Sequence, residues 1–107
     1  MIFKICGLKN KKSLLCCEKN NADFFGMIFY EKSPRSITFN EAKTLTSVSK
    51  KLRIRPVGVF VDHEINDLKK IISSLDLRHI QLHGCEDQQY IDEIKNQFNV
   101  KIIKKYP

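Results

Sequence analysis

The sequence predicts an α/β fold in which five β-strands alternate with four α-helices, a β(αβ)4 pattern. Short apolar runs recur along the chain, and longer amphipathic stretches separate them. The runs are apolar throughout, which is typical of parallel strands that are buried on both faces between helices. No linker, low-complexity segment or second domain interrupts the alternation, so we expect residues 1–107 to form part of a single domain.

The strands are expected at five apolar runs: Ile2–Cys6, Asp23–Phe29, Pro56–Val61, Arg78–His83 and Val100–Ile103. The helices are expected at Lys11–Asn20, Phe39–Lys51, Ile65–Ser74 and Gln88–Gln97. Either Thr38 or Asn40 can cap the second helix, because both side chains accept hydrogen bonds from free backbone N–H groups. The third helix should bury one apolar stripe, made of Ile65, Leu68, Ile71, Ile72 and Leu75.

Two architectures accept this pattern. A doubly wound sheet of five strands would bind a ligand where its strand order reverses. A (βα)8 barrel uses the same alternation but needs about 250 residues in its typical form. Periodicity alone does not decide between them.

The sequence has no G-x-G-x-x-G, P-loop, H-E-x-x-H or G-x-S-x-G motif, which disfavours dinucleotide binding and the most familiar doubly wound functions.

Composition excludes several classes of protein. With 42% hydrophobic and 29% charged residues the chain is typical of globular proteins, and its apolar runs are too short for a membrane helix or a signal peptide. We therefore expect a cytoplasmic protein without membrane contact. The net charge of +7 is spread over the predicted helices without a basic patch that alternates with aromatic residues, so we expect no nucleic-acid partner. The four cysteines contain no C-x2-C pair, which predicts free thiols and no metal site.

Functional groups in both architectures gather at the carboxyl ends of the strands, where Cys6 is the most suggestive residue. A thiolate is a competent base and nucleophile. Lys4 shares a strand face with Cys6, and its charge would favour the thiolate form. The alternative interpretation of Cys6 is a small hydrophobic residue buried in a strand.

Three other polar residues follow strand ends. Gln81 and His83 share one face of an otherwise apolar strand, and burying them without partners would be costly. Either they bind a polar ligand, or they are core residues whose hydrogen bonds are satisfied within the protein. Arg35, after Ser33-Pro34, can clamp a carboxylate with two hydrogen bonds or lie exposed in a loop.

Motifs at these strand ends resemble phosphoribosylanthranilate isomerases. Residues 4–8, Lys-Ile-Cys-Gly-Leu, are similar to the family's first strand. Residues 22–29, with the Lys-Ser-Pro-Arg loop at 32–35, are similar to its second strand and loop. Residues 57–61 are similar to the third strand, and Ile-Gln-Leu-His-Gly at 80–84 is similar to the fourth. Each motif is short, but four in the right order cover essentially the whole chain.

The resemblance implies a (βα)8 barrel of tryptophan biosynthesis. Its reaction would be the Amadori rearrangement of N-(5-phosphoribosyl)anthranilate to 1-(2-carboxyphenylamino)-1-deoxyribulose 5-phosphate. It implies that Cys6 is the general base, that Arg35 faces the anthranilate carboxylate, and that Gln81 and His83 line the substrate pocket. The substrate would be a phosphorylated small molecule, and neither a metal nor an organic cofactor is implied. Cys85 stands where a polar residue is usual in the family.

The resemblance covers only the N-terminal half of such a barrel. In the family an aspartate of the sixth strand acts as general acid, and the last two strand–helix loops hold the phosphate, as in many barrels of this type. We therefore expect these 107 residues alone to be inactive, and to associate with themselves or to pair with a C-terminal half-barrel. The alternatives are a non-catalytic half-barrel fragment that needs a partner chain and a doubly wound module that binds a small anion.

Overall fold

Five parallel strands and four helices alternate in the computed structural model, which describes residues 4–5, 11–19, 22–34 and 36–104. The strands are β1 (Lys4–Ile5), β2 (Phe24–Ile28), β3 (Arg55–Phe60), β4 (His79–Leu82) and β5 (Lys101–Lys104). The helices are α1 (Lys11–Lys19), α2 (Phe39–Ser49), α3 (Ile65–Leu75) and α4 (Gln88–Gln97). The predicted alternation is confirmed, with small differences at the ends of elements. None of the helices in these ranges is long and apolar enough to cross a membrane.

The order of the strands decides between the two architectures. In the described part of the chain the order in the sheet is β1-β2-β3-β4-β5, and each neighbouring pair is parallel. A doubly wound sheet reverses its order, so that its first strand lies inside the sheet. Here each helix leads to the adjacent strand, and the usual right-handed crossover places successive helices on one face. The doubly wound alternative is therefore wrong, and the succession is that of a (βα)8 barrel.

The helices cover most of one face of the sheet. This helix face includes Phe25, Met27, Phe60, Ile80 and Leu82, each 0% exposed. These side chains join one hydrophobic core with residues from each helix, among them Leu14, Leu45, Leu68 and Ile94. At roughly 25 cal/mol per Å² of buried apolar surface, this core is the main source of stability for the sheet–helix layer.

The opposite face is only partly covered. Its central row is set by the register Ile28↔Val59↔Gln81↔Ile103. We call this row, with Phe24, the open face. Val59 is buried between its neighbours, but Ile103 is 46% exposed. The expectation that the strands are buried on both faces therefore holds for the helix face and fails at the β5 end of the open face.

Local sequence signals set the ends of the helices. Thr38 caps α2 in a capping box: its hydroxyl accepts from the Glu41 N–H at 3.1 Å, and the Glu41 carboxylate accepts from the Thr38 N–H at 2.9 Å. Asn40 lies within the first turn, so the alternative cap is wrong. Glu64 and Asp87 cap α3 and α4 by accepting from the backbone N–H three residues later. These caps fix where the chain leaves the strand ends.

The apolar stripe of α3 is confirmed. Leu68, Ile72 and Leu75 are buried, while Ile65 and Ile71 are partly buried against the same core. The helix extends one residue beyond the predicted end and stops at Asp76, whose φ of 51° is left-handed. Asp is one of the few residues besides Gly that adopts this conformation routinely.

Candidate active site at the carboxyl ends of the strands

Gln81 and His83 form a direct pair at the carboxyl end of β4. Gln81 is 1% exposed, and its side-chain nitrogen donates to Nε2 of His83, which lies just after the strand and is exposed. The predicted shared face is thus confirmed. The amide that would be costly to bury has a partner inside the protein, and the imidazole is exposed at the surface.

Backbone contacts hold His83 at the strand end. The His83 N–H donates to the Phe60 carbonyl at 2.9 Å, which continues the β3–β4 pairing by one residue. In the same way the Phe29 N–H donates to the Val59 carbonyl at 3.0 Å and extends the pairing of β2 with β3. The carboxyl ends of β2, β3 and β4 are therefore held in place by main-chain hydrogen bonds, which favours a rigid surface at this end of the sheet.

The other two predicted site residues, Cys6 and Arg35, lie outside the described residues. Their described neighbours show where the chain passes. Lys4 pairs with Phe24, which places β1 beside β2. After Arg35, Ser36 pairs with Ile28 at the end of β2, and the Ile37 N–H donates to the Ile28 carbonyl at 2.7 Å. The roles of Cys6 and Arg35 stay predictions.

Sequence reasoning missed a buried carboxylate that joins three strand ends. The Glu86 side chain is 1% exposed. Its Oε1 accepts from the Gly84 N–H at 3.0 Å and from Nζ of Lys104 at 2.9 Å. Its Oε2 accepts from the Asp62 N–H at 2.9 Å. Glu86 thereby ties the β3–α3 and β4–α4 loops to the end of β5.

The environment of Glu86 keeps its carboxylate ionised. Burial alone would raise the pKa of Glu86, but hydrogen bonds from Lys104 and from the Asp62 backbone, with the Lys104 charge, hold the pKa below its usual value. Lys104 also donates to the Gly84 carbonyl. Two of the partners of Glu86, Lys104 and Asp62, are 18 and 24 residues away in the sequence, so no local pattern reveals the site. The one sign of this site in the sequence is Lys104, a lysine at the end of an apolar strand.

Gly84 leaves room for the Asp62 side chain where the two loops meet. The Asp62 carboxylate accepts from the Cys85 N–H at 2.5 Å, which brings Asp62 directly over Gly84. A Cβ at Gly84 would lie 2.5 Å from Cγ of Asp62, a distance that no side chain tolerates without movement. Asp62 itself has a left-handed φ of 50°. The close approach explains why the residue after His83 is glycine in this chain.

His63 and Tyr90 fix the same loop from the helix side. The Tyr90 hydroxyl donates to the His63 carbonyl at 2.9 Å, and the His63 ring packs edge-on against Phe60 with centroids 5.1 Å apart. Burial, followed by the charges of nearby carboxylates including Glu86, raises the pKa of Tyr90. Tyr90 therefore stays protonated as a donor. Within the described residues Nδ1 of His63 is buried without a hydrogen-bond partner.

The arrangement is a rim of fixed polar groups beside the open face. It presents the exposed His83 imidazole, and the ionised Glu86 accepts the hydrogen bonds that hold the loops. In the described part of the chain no cluster of three or more His, Cys, Asp or Glu side chains is arranged to hold a metal ion. Such a rim suits hydrogen bonding to a polar organic ligand.

A family model described as N-(5'-phosphoribosyl)anthranilate (PRA) isomerase matches residues 3–107. The chain belongs to the PRA isomerase family. It is 36% identical over 104 residues to the N-(5'-phosphoribosyl)anthranilate isomerase of Sinorhizobium medicae, covering 97% of this chain and 48% of that protein. It is also 36% identical over 105 residues to the tryptophan biosynthesis protein TrpCF of Vibrio parahaemolyticus, covering 96% of this chain and 21% of that protein.

A solved PRA isomerase has the same fold over this length. That crystal structure, a complex with reduced 1-(o-carboxyphenylamino)-1-deoxyribulose 5-phosphate, superposes with a TM-score of 0.86 at 32% identity. The match covers 97% of this chain and 53% of the other. The chain thus spans about half the length of the isomerases that it matches. The predicted fold class is confirmed: the chain is the N-terminal half of a (βα)8 barrel.

Proposed function

We propose that this chain supplies the N-terminal half of a phosphoribosylanthranilate isomerase of tryptophan biosynthesis, acting in the cytoplasm. The reaction is the Amadori rearrangement of N-(5-phosphoribosyl)anthranilate to 1-(2-carboxyphenylamino)-1-deoxyribulose 5-phosphate. The observation that carries the proposal is the family match over residues 3–107, which includes all four strand-end motifs. The ligand of the solved isomerase with the same half-barrel, a reduced form of that product, supports it.

Substrate binding is proposed at the rim beside the open face. Gln81 and His83 line it, and the exposed His83 imidazole forms a hydrogen bond with an oxygen of the sugar. Arg35 pairs with the anthranilate carboxylate, for which its planar guanidinium is suited. Glu86 touches no substrate in this scheme. It positions Gly84 and the β3–α3 loop around His83.

Cys6 is proposed as the general base. Once the ring oxygen of the ribose is protonated and the ring opens, the Cys6 thiolate removes the proton from the carbon next to the anomeric carbon. The resulting enolamine then becomes the ketone product. A positioned acid or base contributes about 10²–10⁴-fold to rate. The general acid and the phosphate loops are proposed to lie in the C-terminal half of the barrel, outside these residues.

The other half is proposed to cover the open face and the sheet edges. In the described part of the chain β1 pairs with β2 and β5 with β4, so both terminal strands have one unpaired edge. Unpaired edges and exposed apolar side chains such as Ile103 favour association. Residues 1–107 are thus proposed to be part of one domain. Alone, they would be inactive and self-associated.

The test is activity of the chain with and without a separately produced C-terminal half-barrel from a related isomerase. We expect the 107-residue chain alone to be larger than a monomer by light scattering and to show no conversion of the fluorescent substrate. Adding the second half should restore turnover and reduce the size to that of one barrel. A monomeric chain that turns over substrate at about 1–10³ per second on its own would contradict the half-barrel proposal.

A matched pair of cysteine variants separates chemistry from assembly. Cys6→Ala should assemble with the second half and remain inactive, while Cys16→Ala, at an exposed position on α1, should be active. Assembly of the unmodified chain without any isomerase activity would instead favour a non-catalytic half-barrel.

A further inference from the structure

A cavity lies at the amino-terminal end of the sheet, opposite the strand-end rim. Its volume is about 580 Å³, within the range of small-molecule sites. It is formed where α2 and α3 end and where β3 and β4 begin, and Ile54, Leu75 and Pro56 contribute to its wall. In barrels of this type the amino-terminal face serves stability, and substrate binds at the other end. The proposed isomerase site therefore leaves this cavity unused.

The cavity is lined by more positive than negative charge. Its charged side chains are Lys50, Arg53, Arg55, Arg78 and Asp76. Arg53 and Arg78 lie 3.8 and 3.4 Å from Glu18 and Asp76, but these arginines are 75% and 62% exposed. Ion pairs this exposed contribute little. Among the described residues Lys50 and Arg55 have no ion pair.

His79 is a titratable side chain at this end of the sheet. It lines the same cavity, and burial, followed by the charges of Lys101 and Arg55, lowers its pKa. The imidazole is consequently neutral at pH 7 and adds no positive charge. Grouped cations repel one another and reduce the stability of the folded state. A cluster of this kind lowers stability unless an anion occupies the cavity.

We propose that this cavity binds a small phosphorylated molecule that carries at least two negative charges. Arginine is suited to phosphate because its fork donates two parallel hydrogen bonds. A single-stranded nucleic acid is a poorer fit, because such sites use aromatic side chains for base stacking and, among the residues that the structure describes, no phenylalanine or tyrosine lines this cavity. The site is separate from the strand-end rim.

The first test uses inorganic pyrophosphate and the thermal stability of the 107-residue chain. Pyrophosphate should raise the melting temperature, because a ligand that binds only the folded state stabilises it. Sodium chloride at the same ionic strength should raise it less. Lys50→Gln and Arg55→Gln should both melt higher than the unchanged chain in low-salt buffer without phosphate, since each removes a repelling charge, and both should lose most of the response to pyrophosphate.

Lys12→Gln is the matched control, since it removes one positive charge at an exposed position in the first turn of α1, at the other end of the fold. It should keep the full response to pyrophosphate. A local readout is the NMR titration of His79, whose pKa should rise when pyrophosphate binds to the unchanged chain and change less in Arg55→Gln. Equal stabilisation by chloride, or an unchanged pyrophosphate response in both cavity variants, would overturn the proposal. Tighter Arg55-dependent binding of a single-stranded oligonucleotide than of pyrophosphate would also overturn it.

Discussion

Nζ of Lys104, at the end of β5, lies 2.9 Å from Oε1 of Glu86 in the β4–α4 loop. Both side chains are largely buried, with 12% of Lys104 and 1% of Glu86 exposed. The same carboxylate receives two backbone N–H groups, so its negative charge is satisfied at both oxygens. This ion pair joins the last strand of the half-barrel to the loop that carries His83 and Gly84.

Glu86→Gln should destabilise the chain more than an exposed substitution of the same kind. The amide cannot balance the charge of Lys104, and its NH2 group cannot accept from a backbone N–H. Breaking a buried pair of this type costs about 3 kcal/mol. The control is Glu93→Gln, which breaks a pair to Lys69 in which Glu93 is 46% exposed, and should cost about 0–1 kcal/mol. Urea unfolding measures both, and equal losses would refute the structural role of Glu86.

The Glu86 ion pair should make stability sensitive to acid. The pKa of Glu86 is lowered in the folded state, so its contribution is present above the unfolded value of about 4.3 and is lost as pH falls through the folded pKa. The difference in unfolding free energy between the unchanged chain and Glu86→Gln should therefore be constant from pH 7 to about pH 5 and shrink at lower pH. A difference that grows on acidification would mean that the pKa is raised instead.

Gly84→Ala should be destabilising because of Asp62. The added Cβ would lie 2.5 Å from Cγ of Asp62 and force that side chain away from the Cys85 N–H. Overpacking of this kind costs about 1–3 kcal/mol. In Asp62→Gly the obstructing carboxylate is gone and the left-handed φ of 50° is tolerated. The double variant should then be more stable than the sum of the single losses predicts, and strict additivity would rule out the steric explanation.

Cys6→Ser should lower kcat in the assembled enzyme by about 10² or more, because a hydroxyl is a much weaker base than a thiolate at neutral pH. The affinity for substrate should change little, since the thiol acts on a carbon-bound proton and not on a binding group. Steady-state kinetics on the two joined halves measures both values. Turnover within a few-fold of normal would remove Cys6 from the role of base.

Arg35→Ala should mainly raise KM. In its proposed role Arg35 binds the anthranilate carboxylate, which is distant from the reacting carbons and would be bound about equally in the ground and transition states. Arg35→Lys should recover only part of the loss, because an ammonium group cannot form the two parallel hydrogen bonds of a guanidinium. A fall in kcat at constant KM would indicate that Arg35 acts in catalysis and not in binding.

The sequence alone determined the elements and one polar pair. Hydrophobic periodicity predicted all five strands and four helices, because the spacing of apolar residues reflects which face each element buries. Alternation along β4 placed Gln81 and His83 together, and the structure confirms their contact. The family resemblance rested on strand-end motifs that are contiguous in the sequence, so the sequence alone was enough to detect it.

Only the tertiary structure decided how these elements assemble. The alternation is the same in a doubly wound sheet and in a half-barrel, and the sequential order from β1 to β5 separated them. The contacts of Glu86 with Asp62 and Lys104, and the cation-lined cavity at the amino-terminal end, join residues from different strand–helix units. Such sites depend on which strand ends become neighbours, and that is set by long-range pairing that local propensity and periodicity do not encode.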